Sequence, residues 1–143
     1  MEDIELSELF HRVTRSLRRG YVDQLEPLGL TPGQARALRA VIVAERPLRM
    51  VRLAEELRVV PRSVTPLVDA LEQAGLVRRE VDPASRRATL LVPTPEGERV
   101  YERVREARRR SAERVFAVLT GEQRDQLRDL LLILDEGAGE GGA

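Results

Sequence analysis

Apolar residues recur at helical spacing from the start of the chain. Leu6, Phe10, Val13, Leu17, Tyr21 and Leu25 fall three or four apart, with Arg12, Arg15, Arg18 and Arg19 mainly between them. This predicts an amphipathic helix over residues 4–26, stopped by Pro27 and Gly29. Thr31-Pro32-Gly33-Gln34 opens a second helix, with threonine as N-cap, proline at the first position and glutamine closing a capping box. Ala35, Leu38, Val41 and Ile42 form its apolar face, and it runs out by Arg46-Pro47. After Thr94-Pro95-Glu96-Gly97-Glu98, another clean start, Val100, Val104, Ala107, Ser111, Val115 and Val118 mark a long helix to about Leu119. Thr120-Gly121-Glu122-Gln123 is a second capping box, and its helix carries Leu127, Leu130, Leu131 and Leu134. The closing EGAGEGGA reads as a disordered tail.

The middle of the chain changes period. Leu53, Ala54 and Leu57 make a short helix without a good N-cap, because Met50 or Val51 stands where Ser or Asp would serve. Val59-Val60-Pro61 interrupt it; Val64, Leu67, Val68 and Leu71 resume the pattern, and Ala74-Gly75 ends it. Pro66 sits awkwardly here. If this helix starts at Pro61, Pro66 removes the bond to the Arg62 carbonyl and distorts the first turn; if Ser63 is the N-cap, Pro66 falls harmlessly in that turn. Two strand-like runs follow, Leu76 to Val81 and Ala88 to Val92, with Asp82-Pro83-Ala84-Ser85-Arg86-Arg87 as the turn between them. Leu48 to Met50 reads as a short extra strand beside this hairpin. Helix, turn, helix and a basic-tipped hairpin is the layout of a winged helix-turn-helix, a mainly α (α+β) fold with a small antiparallel β-wing.

Composition then changes the picture in three places. The 143 residues suit one domain with an aliphatic core, since only 3% are aromatic. Net charge is zero, which at first argues against a nucleic-acid partner, but the charge is uneven. Residues 46–90 hold nine arginines against six acids, and residues 115–143 hold two against six. The chain uses no lysine, as codon bias in a high-GC genome would produce. There is no cysteine, hence no disulfide, thiol switch or cysteine-bound zinc. The opening MEDIELSELF lacks signal-peptide order, and no apolar run is long enough to span a bilayer, so a cytoplasmic protein is expected.

Candidate chemistry is sparse. His11 is the single histidine, and its nearest serines, Ser7 and Ser16, share its helix without forming a nucleophile elbow. No metal-ligand spacing, phosphate loop or dinucleotide turn occurs, so neither an enzyme nor a cofactor is expected. Glu55-Glu56 and Glu96/Glu98 fit solvation and the helix dipole, and Arg108-Arg109-Arg110 fits a solvated face. Pro61, Arg62, Ser63 and Thr65 stand at the start of the second helix of the motif, the part that meets base edges. Arg62 suits guanine, while Ser63 and Thr65 suit a phosphate or an A·T edge. Two functions compete: a dimeric DNA-binding regulator, and a winged-helix protein–protein interaction module. Polar and basic residues at 62, 63, 65, 86 and 87 favour the first.

LAEEL, PRSVTPLVDALEQAGLVRR and DPASRRATLLVPTPEGE together resemble the DNA-binding core of the MarR family of bacterial transcription regulators. The resemblance runs over roughly residues 30 to 100. It implies a winged core at 31–95, and a homodimer held by interlocking helices at 4–26 and 95–136. It favours a start of the recognition helix at Pro61, with a distorted first turn. It implies a repressor released from a pseudo-palindromic operator by a small, anionic aromatic ligand bound between the first two helices and the wing domain. His11 and Arg15 are the candidate polar contacts there. Arg86 and Arg87 would divide the wing's tasks, one probing the minor groove and one bracing the turn, with Asp82 as acceptor for either. Family wings often read D-P-x-D-R-R; Ser85 replaces the second acid here, which weakens that brace.

Overall fold

The computed structural model describes residues 4–140. Helix α1, Leu6–Leu25, is followed by a 3-10 turn at Glu26–Leu28 that Gly29 closes in the left-handed region, φ 70°. Helix α2, Pro32–Val43, starts on the expected capping box: the Gln34 amide donates to Thr31 Oγ1 and the Thr31 amide to Gln34 Oε1. Strand β1, Leu48–Arg49, leads into α3, Met50–Leu57, whose N-cap Arg49 makes no side-chain cap. Helix α4 spans Pro61–Gln73, strands β2 and β3 span Val77–Asp82 and Ser85–Pro93, and α5 spans Pro95–Phe116.

The core lies between α2, α3, α4 and the root of the hairpin. Leu38, Leu53, Val64, Val68, Leu71, Val77 and Leu91 are fully buried there, and Leu25 from α1 joins them. The sheet order is β1-β3-β2, antiparallel throughout, with Leu48 opposite Leu91 and Val77 opposite Pro93. Leu91, on the central strand, points into the core between the other two.

The start of α5 is welded onto the end of α4. The Thr94 amide donates to the Leu76 carbonyl at 3.1 Å, and Thr94 Oγ1 donates to the Gly75 carbonyl at 2.6 Å while accepting from Gly97. Gly97 is required by space: a Cβ there would lie 2.0 Å from the Leu76 carbonyl oxygen.

Two expectations are corrected. Helix α6 spans Gly121–Glu140, so the glycine-rich segment read as a disordered tail is helical as far as residue 140. The Thr120–Gln123 capping box nucleates it, after which each residue adds one bond; Gly137 and Gly139 cost about 1 kcal/mol apiece without blocking propagation. The hairpin turn is tighter than expected. Asp82 pairs with Ser85 across Pro83-Ala84, then the register jumps to Val81 opposite Thr89. Arg86, Arg87 and Ala88 therefore lie in an irregularity of β3 rather than in the turn.

Candidate nucleic-acid interface

Helix α4 buries Val64, Val68 and Leu71 and turns the opposite face outward. Pro61, Arg62, Ser63 and Thr65 are all exposed at its N-terminal turn. That turn is irregular, as a start at Pro61 requires. The carbonyls of Thr31, Thr94 and Thr120 each accept from the amide four residues on, whereas that of Val60 accepts from Ser63, three residues on, at 2.9 Å. Pro66, inside the helix, has no amide to offer the Arg62 carbonyl.

The hairpin is tied to its surroundings by two arginines outside the candidate site residues. Arg49, from β1, donates through Nε to Asp82 Oδ2 at 2.9 Å and lies 2.7 Å from it through its second nitrogen. Asp82 Oδ1 accepts from the Ala84 amide at 2.8 Å, an Asx-type closure of the turn. The brace at Asp82 thus holds Arg49, not Arg86 or Arg87; both wing arginines are exposed, and a long side chain on the adjacent strand reaches the carboxylate instead. The Ala84 amide, and then Arg49, hold the Asp82 carboxyl below its ordinary range. Arg79, on β2, meets Asp69 at 2.5 Å and Glu72 at 2.7 Å, joining the hairpin to α4. The only sequence signal for this was the pair of acids three apart on the outer face of α4.

Charge sorts the nine arginines of residues 46–90 into two sets. Arg49, Arg52, Arg78 and Arg79 face carboxylates within 3.5 Å. Among the described residues, Arg46, Arg58, Arg62, Arg86 and Arg87 have no such partner, and all five are exposed. Arg58 stands at the α3–α4 turn in the left-handed region, φ 56°, the one non-glycine residue there among those described.

His11 and Arg15 do not line an enclosed site. They sit with Ser7, Glu8 and Thr14 in a shallow depression on the exposed half of α1, because the buried stripe of that helix begins only near its C-terminal end. The larger cleft, about 970 Å³, opens between α1, α2, α3 and α5 and is lined by Tyr21, Arg36, Arg39, Tyr101, Arg105 and Arg108, among others. Arg108 lies over the Tyr21 ring at 5.6 Å. Burial pushes the Tyr21 phenol above its ordinary value, against the pull of Arg108 and Arg39, so it stays a neutral hydrogen-bond donor at physiological pH. No helix among the described residues is long and apolar enough to cross a membrane.

Paired helices, a three-stranded wing and an exposed helix start define a winged helix-turn-helix protein. Within that class the chain belongs to the MarR family, whose model matches residues 28–88. It is 32% identical over 125 residues to the HTH-type transcriptional repressor MdtR of Bacillus subtilis, covering 86% of this chain and 77% of that one. It is 30% identical over 131 residues to the HTH-type transcriptional repressor Rv2887 of Mycobacterium tuberculosis, covering 91% and 93%. Among solved structures, apo MarR from Escherichia coli superposes with a TM-score of 0.82 at 26% identity, covering 94% of this chain and 98% of that one. The Rv2887 complex with DNA gives 0.78 at 29% identity, covering 92% and 98%.

Proposed function

We propose that this protein is a homodimeric, sequence-specific DNA-binding transcriptional repressor, released from a pseudo-palindromic operator by a small anionic aromatic ligand. The observation that carries the reading is the sorting of arginines. The exposed start of α4 and the hairpin hold Arg62, Arg86 and Arg87 without carboxylate partners, while Arg49, Arg78 and Arg79 face carboxylates. A guanidinium kept free of acids is ready to replace the counterions of a phosphate backbone. The similarity to a relative solved in complex with DNA supports the same reading. Arg62 then reads a base, Ser63 and Thr65 contact phosphate or a base edge, and Arg86 and Arg87 enter the minor groove.

The dimer rests on uncovered apolar surface. Leu6 and Phe10 on α1, and Leu130, Ile133 and Leu134 on α6, are each more than half exposed in the isolated chain. Segments 4–26 and 95–136 would bury that surface between protomers. Two-fold symmetry then sets the half-sites about one helical turn, ~10 base pairs, apart. The effector site is the cleft of Tyr21, Arg36, Arg39 and Arg108, whose cations and phenol suit a carboxylate on an aromatic ring.

The test is anisotropy with duplexes selected by the wild-type protein from a randomised pool, measured against salt. Arg62→Ala should cost ~1–3 kcal/mol on the selected duplex and relax one base pair per half-site. Arg86→Ala should weaken selected and unselected duplexes alike and lower the salt slope by about one per protomer. Salicylate-like phenolic carboxylates should dissociate the complex. Wild-type protein that binds no duplex, at any salt concentration, overturns the reading.

A further inference from the structure

Pro66 is the one residue of α4 that the helix would be better without. A proline in a helix interior is strongly destabilising relative to alanine, less so near the N-terminus, through its missing donor and its clash with the preceding turn. Packing does not require it: its ring is exposed, and the core face of the helix is carried by Val64, Val68 and Leu71. The first turn is irregular around it, with Ser63 rather than the next residue bonded to Val60.

Helical spacing places Pro66 directly below Arg62 and beside Thr65, on the outward face. Beyond Pro61 at the helix start, that face is polar or charged: Arg62, Ser63, Thr65, Asp69 and Gln73. Pro66 puts a compact apolar ring in its middle. In the major groove a single base presents an apolar group, the C5-methyl of thymine. We infer that the Pro66 ring reads a thymine methyl in each half-site, next to the base contacted by Arg62. This rests on the DNA-binding reading above and goes beyond it by naming a specificity contact made without a hydrogen bond. A ring fixed by its own backbone has no rotamers to freeze, so the contact costs little ordering.

The experiment uses the wild-type protein and the duplex it selects, with each thymine replaced in turn by deoxyuridine, which removes only the methyl. One thymine per half-site should then lose roughly four-fold in affinity, the factor expected for taking one methyl out of apolar contact. In Pro66→Ala the same replacement should have little effect, while other positions keep their wild-type response. Pro66→Ala should also melt higher than wild type, which separates loss of the contact from loss of the fold. Selective binding by wild type with no thymine sensitive to the replacement overturns the inference and leaves the DNA-binding reading standing. So does a sensitivity that persists in Pro66→Ala. Absence of selective binding by wild type removes both.

Discussion

Replacing Gly97 by alanine tests how the helical part of the chain is joined to the winged part. The added Cβ would meet the Leu76 carbonyl oxygen at 2.0 Å and its carbon at 3.0 Å, so the backbone of one element must retreat by about 1 Å. That carbonyl already accepts from the Thr94 amide, and Thr94 is the N-cap of α5, so retreat loosens the cap as well. Overpacking costs about 1–3 kcal/mol, and a weakened cap bond adds about 1. The better helix propensity of alanine returns about 1 kcal/mol. The net is a loss of about 1–3 kcal/mol, or a fall in Tm of roughly 3–10 °C at fixed protein concentration. Gly33→Ala is the control. Its Cβ would lie 3.4 Å from Leu67 Cδ2, ordinary contact with a movable side chain, so its Tm should stay level or rise slightly. A Gly97→Ala protein that melts within about 2 °C of wild type refutes the claim that this contact is rigid.

Other outcomes are equally open to measurement. Arg79→Ala should lower the unfolding free energy from urea titration by only roughly 0.5–1 kcal/mol, because Asp69 and Glu72 are solvent-exposed, yet weaken DNA binding more than that; equal losses argue against an electrostatic role. Asp82 has a depressed folded pKa, so its contribution is present at neutral pH and is lost as pH falls through that value, below about pH 4. The protection factor of the Ala84 amide, its exchange rate corrected for the intrinsic pH dependence, should therefore fall on acidification, and Asp82→Asn should flatten that dependence; an unchanged profile contradicts the brace. Sedimentation of the full chain at micromolar concentration should give a dimer, and deletion after Leu119 should abolish it; a folded, dimeric truncation would falsify the assignment of α6.

Much of this fold was legible because its signals are local. The capping boxes at Thr31 and Thr120, the Thr94 start and the helical spacing of Val64, Val68 and Leu71 each depend on residues within one or two turns. The positions of Arg62, Ser63 and Thr65 on an outward face followed from the same periodicity. What the sequence hid is non-local. Nothing near Asp82 in the chain points to Arg49, 33 residues earlier, and the register jump at Val81 depends on how β3 leaves the tight turn. The cleft was hidden for the same reason: Tyr21, Arg39 and Arg108 meet only when α1, α2 and α5 cross. His11 and Arg15 share a helix with the cleft, but in the isolated chain they stand on the exposed half of α1, apart from it. The helical course of residues 136–140 was missed because composition reports what can disorder a chain, not what a preceding helix imposes.

The zero net charge sums regions of opposite sign, the basic residues 46–90 and the acidic residues 115–143, and hides how individual arginines are paired. Along α5, Arg99, Arg105, Arg109 and Arg110 pair with Glu96, Glu102, Glu106 and Glu113 on one helix surface, so the outward charge of that surface is largely cancelled locally. Such pairs add little stability, but they lower the local field of the arginines that make them. On α4 the problem is reversed. Asp69 lies on the same outward face as Arg62 and Pro66, and Glu72 flanks it, so two carboxylates stand where phosphates would approach. Arg79 reaches across from β2 to both, cancelling part of that repulsion and fixing the angle between hairpin and helix. An arginine of this kind stays engaged with its acids, whereas Arg62, Arg86 and Arg87 can meet a duplex without breaking an ion pair. Net charge averages over both roles, and so the total of zero does not count against the proposed DNA face, where Arg62, Arg86 and Arg87 stand unpaired.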